Sequence, residues 1–186
     1  LNLLALDTGI KTGWCLIAEA GHIIESGVQD FSKRRGESNG MLFLRFRAWL
    51  EEEMLTIHRP ALVLYELAHH RGGYATEVCV NLTGRVQEMC VSNGIECAGV
   101  HAGTLKKAII GKGNAGKDEM IAFARGRLNR EPIDDNEADA VALAVYGAKL
   151  FLGLCQQKKS PCGILTERRL AEDETEMQYP GGRARN

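Results

Sequence analysis

The chain has 186 residues, is 45% hydrophobic and 25% charged, and carries 23 Lys and Arg against 24 Asp and Glu, a formal net charge of −1. Those figures suit one globular domain with a full core and argue against a general nucleic-acid coat, while leaving room for a local binding site. No apolar run approaches the ~20 residues of a membrane span and no signal peptide is visible, so a cytoplasmic protein without a membrane partner is expected, read from a trimmed start at Leu1.

The first element is the strand Leu3-Leu4-Ala5-Leu6, whose unbroken apolar run marks burial on both faces. Asp7 closes it, and Thr8-Gly9 with Thr12-Gly13 lets the backbone turn sharply and approach a bound group. A carboxylate fixed at a rigid strand end beside glycines suits a metal or phosphate site; alone, the same pattern also serves as a turn cap. Strands over 14–18 and 22–28 follow as an antiparallel meander, then a polar loop over 30–40. Residues 41–57 read as a helix with Leu42, Phe46, Trp49 and Leu50 near one face and Glu51, Glu52 and Glu53 largely outside.

Pro60 ends that helix, and the apolar strand 61–65 delivers Glu66 at its exit. The loop that follows holds His69, His70, Arg71 and Tyr74, a mixture of cationic and planar groups suited to phosphates and unstacked bases. A solvated turn, or a histidine acting as a metal ligand, would use the same residues. Next come a helix over about 76–92, a strand over 96–100, a short helix capped by Thr104 and a helix over 117–128. From His101 to Arg130 there are seven Lys or Arg (106, 107, 112, 117, 125, 127 and 130) against Asp118 and Glu119, whereas residues 131–139 hold five acids and no base. A basic stretch running into an acidic cluster fits a phosphate-binding rim around a metal centre.

That cluster opens a helix that ends near Leu154, with Ala138, Ala140, Ala142 and Ala144 allowing close packing on a sheet. At about 100° per residue, Asp135 and Asp139 are offset by about 40°, while Glu137 is turned by roughly 200° from Asp135. Asp134 or Asp135 serves as an N-cap against the helix dipole. Asp139 lies past the first turn among small apolar residues, where a carboxylate is costly without a cation. A strand Asp, a strand Glu and a helix Asp offer hard oxygen ligands that select Mg²⁺ or Mn²⁺ over Zn²⁺. Two such ions about 3.5–4 Å apart activate water and stabilise the leaving oxygen in phosphodiester cleavage. Six cysteines without a C-x-x-C pair, most within apolar segments, read as reduced buried thiols. A globular unit over 1–155 is followed by a poorly ordered tail over 156–186, with one short helix around 165–171.

Four segments in this order resemble the RuvC-type Holliday-junction resolvases of the RNase H-like superfamily, especially the divergent forms carried by phages. They are Leu4-Ala5-Leu6-Asp7-Thr8-Gly9 with Thr12-Gly13-Trp14, then Val63-Leu64-Tyr65-Glu66, then the run from Leu105 to Lys117, and Ala138-Asp139-Ala140-Val141-Ala142-Leu143-Ala144. The resemblance implies an α/β, RNase H-like fold: a mixed five-stranded sheet flanked by helices, with the first and fourth strands as parallel neighbours and Asp7 beside Glu66. It implies a Mg²⁺-dependent crossover-junction endodeoxyribonuclease of recombination and repair, in a bacterial or phage-infected host cytoplasm. Such an enzyme resolves four-way junctions and related branched DNA by paired symmetric nicks. Asp7, Glu66 and Asp139 would be catalytic metal ligands, and Lys106 and Lys117 would stand near the scissile phosphate. Asn136 occupies the place of a family aspartate, which leaves Asp135 or Glu137 as the fourth ligand. Thr8 replaces the usual Pro, and His69 stands where the family places an aromatic.

The expected DNA contacts are His69, His70, Arg71, Tyr74, Lys106, Lys107, Lys112, Lys117, Arg125 and Arg127. A homodimer is expected through the helix 76–92, which carries Val78, Val80, Leu82, Val86, Met89 and Val91. Two other readings share some of these features. An actin or sugar-kinase type ATP-binding domain also places D-x-G after its first strand, yet normally needs two such domains. A catalytically inactive DNA-binding or scaffold protein would not need Asp7, Glu66 and Asp139 together.

Overall fold

The computed structural model describes residues 1–18, 20–68 and 72–157, the last seven by backbone alone. Five strands form one mixed sheet in the order β3-β2-β1-β4-β5. β1 (Asn2–Asp7), β2 (Lys11–Ala18) and β3 (Ile23–Asp30) make the antiparallel meander, while β4 (Leu62–Glu66) is parallel to β1 and β5 (Glu96–Val100) is parallel to β4. In this register Leu6 faces Tyr65, so Asp7 and Glu66 are the next residues on adjacent strands. β1, β3, β4 and β5 therefore all point their carboxyl ends to the same end of the sheet.

The continuous apolar run of β1 is explained by its central position. Leu3 and Ala5 enter one core with Cys15, Ile17 and Leu64, and Leu4 and Leu6 enter the other with Leu16, Val63 and Tyr65. The first core is closed by α4 (Ala102–Ile110), α5 (Lys117–Leu128) and α6 (Asp135–Gln157); the second by α1 (Asn39–Trp49), the π-helical stretch Leu50–Leu55 and α3 (Gly73–Ser92), while α2 (Thr56–His58) buries no side chain.

The single helix expected over 41–57 is three pieces. α1 starts at Asn39, a π-helical stretch occupies Leu50–Leu55, and α2 completes the segment before Arg59 turns the chain in a left-handed conformation at φ 44°. The wider π turn keeps Leu50, Met54 and Leu55 buried together while Glu51, Glu52 and Glu53 stay outside. β2 begins at Lys11 rather than at 14, because pairing with Asp30 and with Asp7 extends it over the glycine turn. α3 begins at Gly73, and α6 runs on to Gln157.

Gly13 sets the position of α6. A Cβ there would overlap the backbone carbonyl of Asn136, so the start of the helix rests directly on β2. Farther along α6, a side chain at Gly147 would collide with Leu3 and Leu64. Among the described residues Cys15, Cys79, Cys90 and Cys97 are free thiols, Cys15 and Cys90 buried and Cys79 and Cys97 only half-buried. The tail over 158–186, with its short helix, lies outside the described residues. Among the described residues no helix is long and apolar enough to cross a membrane.

Candidate active site

Asp7 and Glu66 emerge side by side from β1 and β4, and α6 crosses the same end of the sheet carrying Asp139. Their electrostatics show how close the three carboxylates are. Burial raises the pKa of Asp7 well above the ordinary carboxylate range, and the charges of Glu66, Asp139, Asp135 and Asp134 raise it further. Burial and Asp139 push Glu66 up to about 7, with Lys106 opposing them. Burial likewise raises Asp139 to about 6, against the pull of Lys106 and Lys117. Asp139 Oδ1 is buried without a hydrogen-bond partner, an arrangement that costs free energy unless a cation meets it.

The other acids of the α6 start have different work. Asp134 is the N-cap: Oδ1 accepts the amides of Asn136 at 2.9 Å and Glu137 at 3.1 Å. Asp135 is partly exposed, lies near enough to Asp7 and Asp139 for its charge to raise both, and pairs with Lys117 at 2.8 Å. Glu137 is fully buried and turned away from the cluster, as its rotation about the helix requires. Its carboxylate takes Arg130 through two nitrogens at 2.6 and 3.1 Å, the Ser26 hydroxyl at 2.6 Å and the Ile133 amide at 2.5 Å. Burial works to raise its pKa, but these donors outweigh it and hold the carboxyl below its usual range. Glu137 is thus committed to joining β3 to the α5–α6 connection, and of the two candidates for a fourth ligand only Asp135 faces the cluster.

Of the cations expected at the site, Lys106 and Lys117 are brought to the acids, the first acting on Glu66 and Asp139 and the second held by Asp135. Lys107 is exposed on α4, and Lys112 pairs with Glu119 at 2.7 Å. Arg125 and Arg127 occupy the far end of α5. Arg125 pairs with Glu131, and Arg127 lies over the Phe123 ring at 5.8 Å and lines a cavity of about 510 Å³ beside the β2–β3 turn. That turn is at the opposite end of the sheet from Asp7. Tyr74 opens α3, half-exposed, while His69, His70 and Arg71 lie outside the described residues. One neighbour was missed in the sequence: Cys79 on α3 is near enough to Asp7 and Glu66 for their charges to add to burial in raising its thiol. Its position one residue after the buried Val78 was the available signal.

Among the described residues no group of three or more His, Cys, Asp or Glu side chains could hold an ion as placed. The donor chemistry nevertheless fits a hard divalent cation, because the cluster is all-oxygen, mutually repelling and includes the orphaned Asp139 oxygen. A pH test follows. With folded-state pKa values above the unfolded ones, the folded protein holds more protons between about pH 4 and pH 7. This contribution to stability is fully present below the unfolded pKa and is lost as pH rises through the folded values, the highest printed being about 7 for Glu66. In chelator, the unfolding midpoint should fall by roughly 5 °C between about pH 5 and pH 8, and Mg²⁺ or Mn²⁺ should restore it at the higher pH alone. A midpoint indifferent to pH and to both ions would mean that the carboxylates do not meet.

No protein-family model matches the chain, and no curated protein matches it in sequence. Solved structures match it in fold. The Thermus thermophilus RuvC structure superposes with a TM-score of 0.68 at 22% identity, covering 84% of this chain and 97% of that one. T. thermophilus RuvC in complex with Holliday junction substrate gives a TM-score of 0.69 at 22% identity, over 84% of this chain and 96% of that one. The chain therefore has the RNase H-like fold in the form that RuvC takes.

Proposed function

We propose that residues 1–155 form a divalent-cation-dependent, structure-selective endodeoxyribonuclease that resolves four-way DNA junctions and related branches. One observation carries the reading: at one end of a RuvC-like sheet, β1, β4 and α6 converge carboxylates that repel one another and leave a buried oxygen unpartnered, with two lysines beside them. Asp7, Glu66 and Asp139, with Asp135 as the fourth ligand, would hold two Mg²⁺ ions, or Mn²⁺ in their place. When bound, these ions supply water activation and stabilisation of the leaving oxygen.

The chain's own groups position the DNA. The strand ends fix Asp7 and Glu66, and Asp134 fixes the first turn of α6 and so the height of Asp139. Lys106 offsets negative charge at the scissile phosphate. Lys117 exchanges Asp135 for a phosphate oxygen as DNA enters. Lys107 and Lys112 extend the rim, Arg125 and Arg127 hold DNA farther out, and His69, His70, Arg71 and Tyr74 meet unstacked bases at the branch.

Two symmetric nicks call for two such centres, and a two-fold homodimer matches the symmetry of the junction. Of the six apolar positions on α3, Val78, Leu82, Val86 and Met89 are buried within the subunit, and Val80 and Val91 face outward to serve a partner copy. In the cytoplasm of a bacterium or a phage-infected host, this activity would serve DNA recombination and repair.

Nicking assays on a four-way junction, a flap and a linear duplex test the reading. Paired nicks on opposite strands of the junction, only with Mg²⁺ or Mn²⁺, are expected. Light scattering should return about twice the 20.4 kDa chain mass. Binding of the junction without cutting under any divalent ion would return the chain to the inactive DNA-binding reading.

A further inference from the structure

The loop between β3 and α1, residues 31–38, is more ordered than its polar composition suggests. Arg34 to Glu37 form a tight turn, with the Glu37 amide donating to the Arg34 carbonyl at 3.1 Å and Gly36 at φ 86° in its third position. The Arg34 amide donates to Glu37 Oε2 at 2.8 Å. Arg45 of α1 clamps the same carboxylate at 2.9 Å and reaches the carbonyl of Ser32 at 3.1 Å. Phe31, buried among Phe46 and Trp49, anchors the base of the loop.

This bracing uses the loop's one acid and leaves its cations outside. Lys33, Arg34 and Arg35 are all exposed, and the guanidinium groups of Arg34 and Arg35 make no hydrogen bond or ion pair among the described residues. Lys33 Nζ lies 5.5 Å from the centre of the Tyr74 ring, and Lys33 and the Tyr74 hydroxyl share Asn39 Oδ1 at 2.5 and 3.1 Å. The loop is thereby tied to the start of α3, just after the segment that leaves Glu66.

Its place in the fold gives the charges a use. β3 delivers the loop at the end of the sheet that carries Asp7 and Glu66. Lys106 and Lys117 approach those acids from the α4–α5–α6 face, whereas the loop and Tyr74 belong to the α1–α3 face. Cations on both sides of an acidic centre match a polyanion that passes over it. We propose that Lys33, Arg34 and Arg35 bind the backbone phosphates of a duplex DNA arm, on the opposite flank of the carboxylates from Lys106 and Lys117. This rests on the nuclease reading above and adds a second contact surface to it.

The test uses the full chain carrying Lys33→Gln, Arg34→Gln and Arg35→Gln together. Junction binding is measured in chelator across a range of salt, and single-turnover nicking is measured at saturating DNA with Mg²⁺. Each lost phosphate contact should lower the slope of log K against log salt by about 0.9, so the triple variant should lose roughly 2–3 in slope and about 10- to 100-fold in affinity near 0.1 M salt. Its nicking rate at saturation should equal that of the wild type, because no substituted residue touches the acids. Arg34→Lys with Arg35→Lys should retain the wild-type slope, which a merely structural role of the two arginines would not predict. Wild-type affinity and slope in the triple variant, with nicking intact, overturn this proposal alone. Failure of the wild type to bind any branched DNA overturns the nuclease reading and this surface with it.

Discussion

Asp7→Asn, Glu66→Gln and Asp139→Asn should each reduce nicking by roughly a thousandfold or more while leaving junction binding intact or tighter. The reason is electrostatic. Each substitution would remove one negative charge from the proposed cation ligands without altering the lysines, and would lower the repulsion that incoming phosphates meet. The same variants should be more stable than the wild type in chelator at about pH 8, because a neutral amide ends the like-charge burial that raises the carboxyl pKa values. Activity lost together with midpoint gained separates a strained centre from an ordinary core. A variant that cuts at the wild-type rate removes its residue from the centre. Asp135→Asn should give only a partial loss, since it leaves the more enclosed Asp7, Glu66 and Asp139 to hold a cation.

Glu137→Ala should be the most damaging single change outside that centre. It leaves Arg130, Ser26 and the Ile133 amide without their acceptor at a fully buried position. Arg130 is half-exposed and can be hydrated, so the loss is set by the buried donors left unsatisfied, about 1–3 kcal/mol each, which for a chain of this length is several degrees in the midpoint. Arg130→Ala should act in the same direction, because it leaves the fully buried Glu137 carboxylate without its counter-charge, and the double variant should lose less than the two losses added. Chemical denaturation of the four proteins measures this directly. Glu137→Ala that keeps its midpoint and instead loses cation affinity would move Glu137 into the metal centre.

The strands carrying Asp7 and Glu66 were legible because a strand covered on both faces writes a continuous apolar run, and β1 and β4 each carry an unbroken buried stretch inside the sheet. Asp139 was legible as a charge among alanines. The division between Asp135 and Glu137 was half-legible: helix rotation separates them, but nothing near Glu137 in sequence announces that Ser26, on β3, will receive it. The bracing of residues 31–38 was hidden for a similar reason, since a salt bridge between Glu37 and Arg45 looks like any pair of surface charges. α5 was legible only in part. Its basic residues are contiguous in sequence, yet a helix has two ends, and only the Lys117 end reaches the acids.

The docking of α6 on Gly13 has a consequence for how the protein is made. α6 is the last described element to leave the ribosome, and it supplies both the third carboxylate and the cover over Leu3, Ala5, Cys15 and Ile17. A nascent chain that already contains the whole sheet therefore has two acids without their third and an open apolar face. Such a chain exposes the kind of apolar surface that chaperones bind. Premature termination anywhere ahead of α6 removes the third carboxylate, so the proposed chemistry is withheld until α6 has been made.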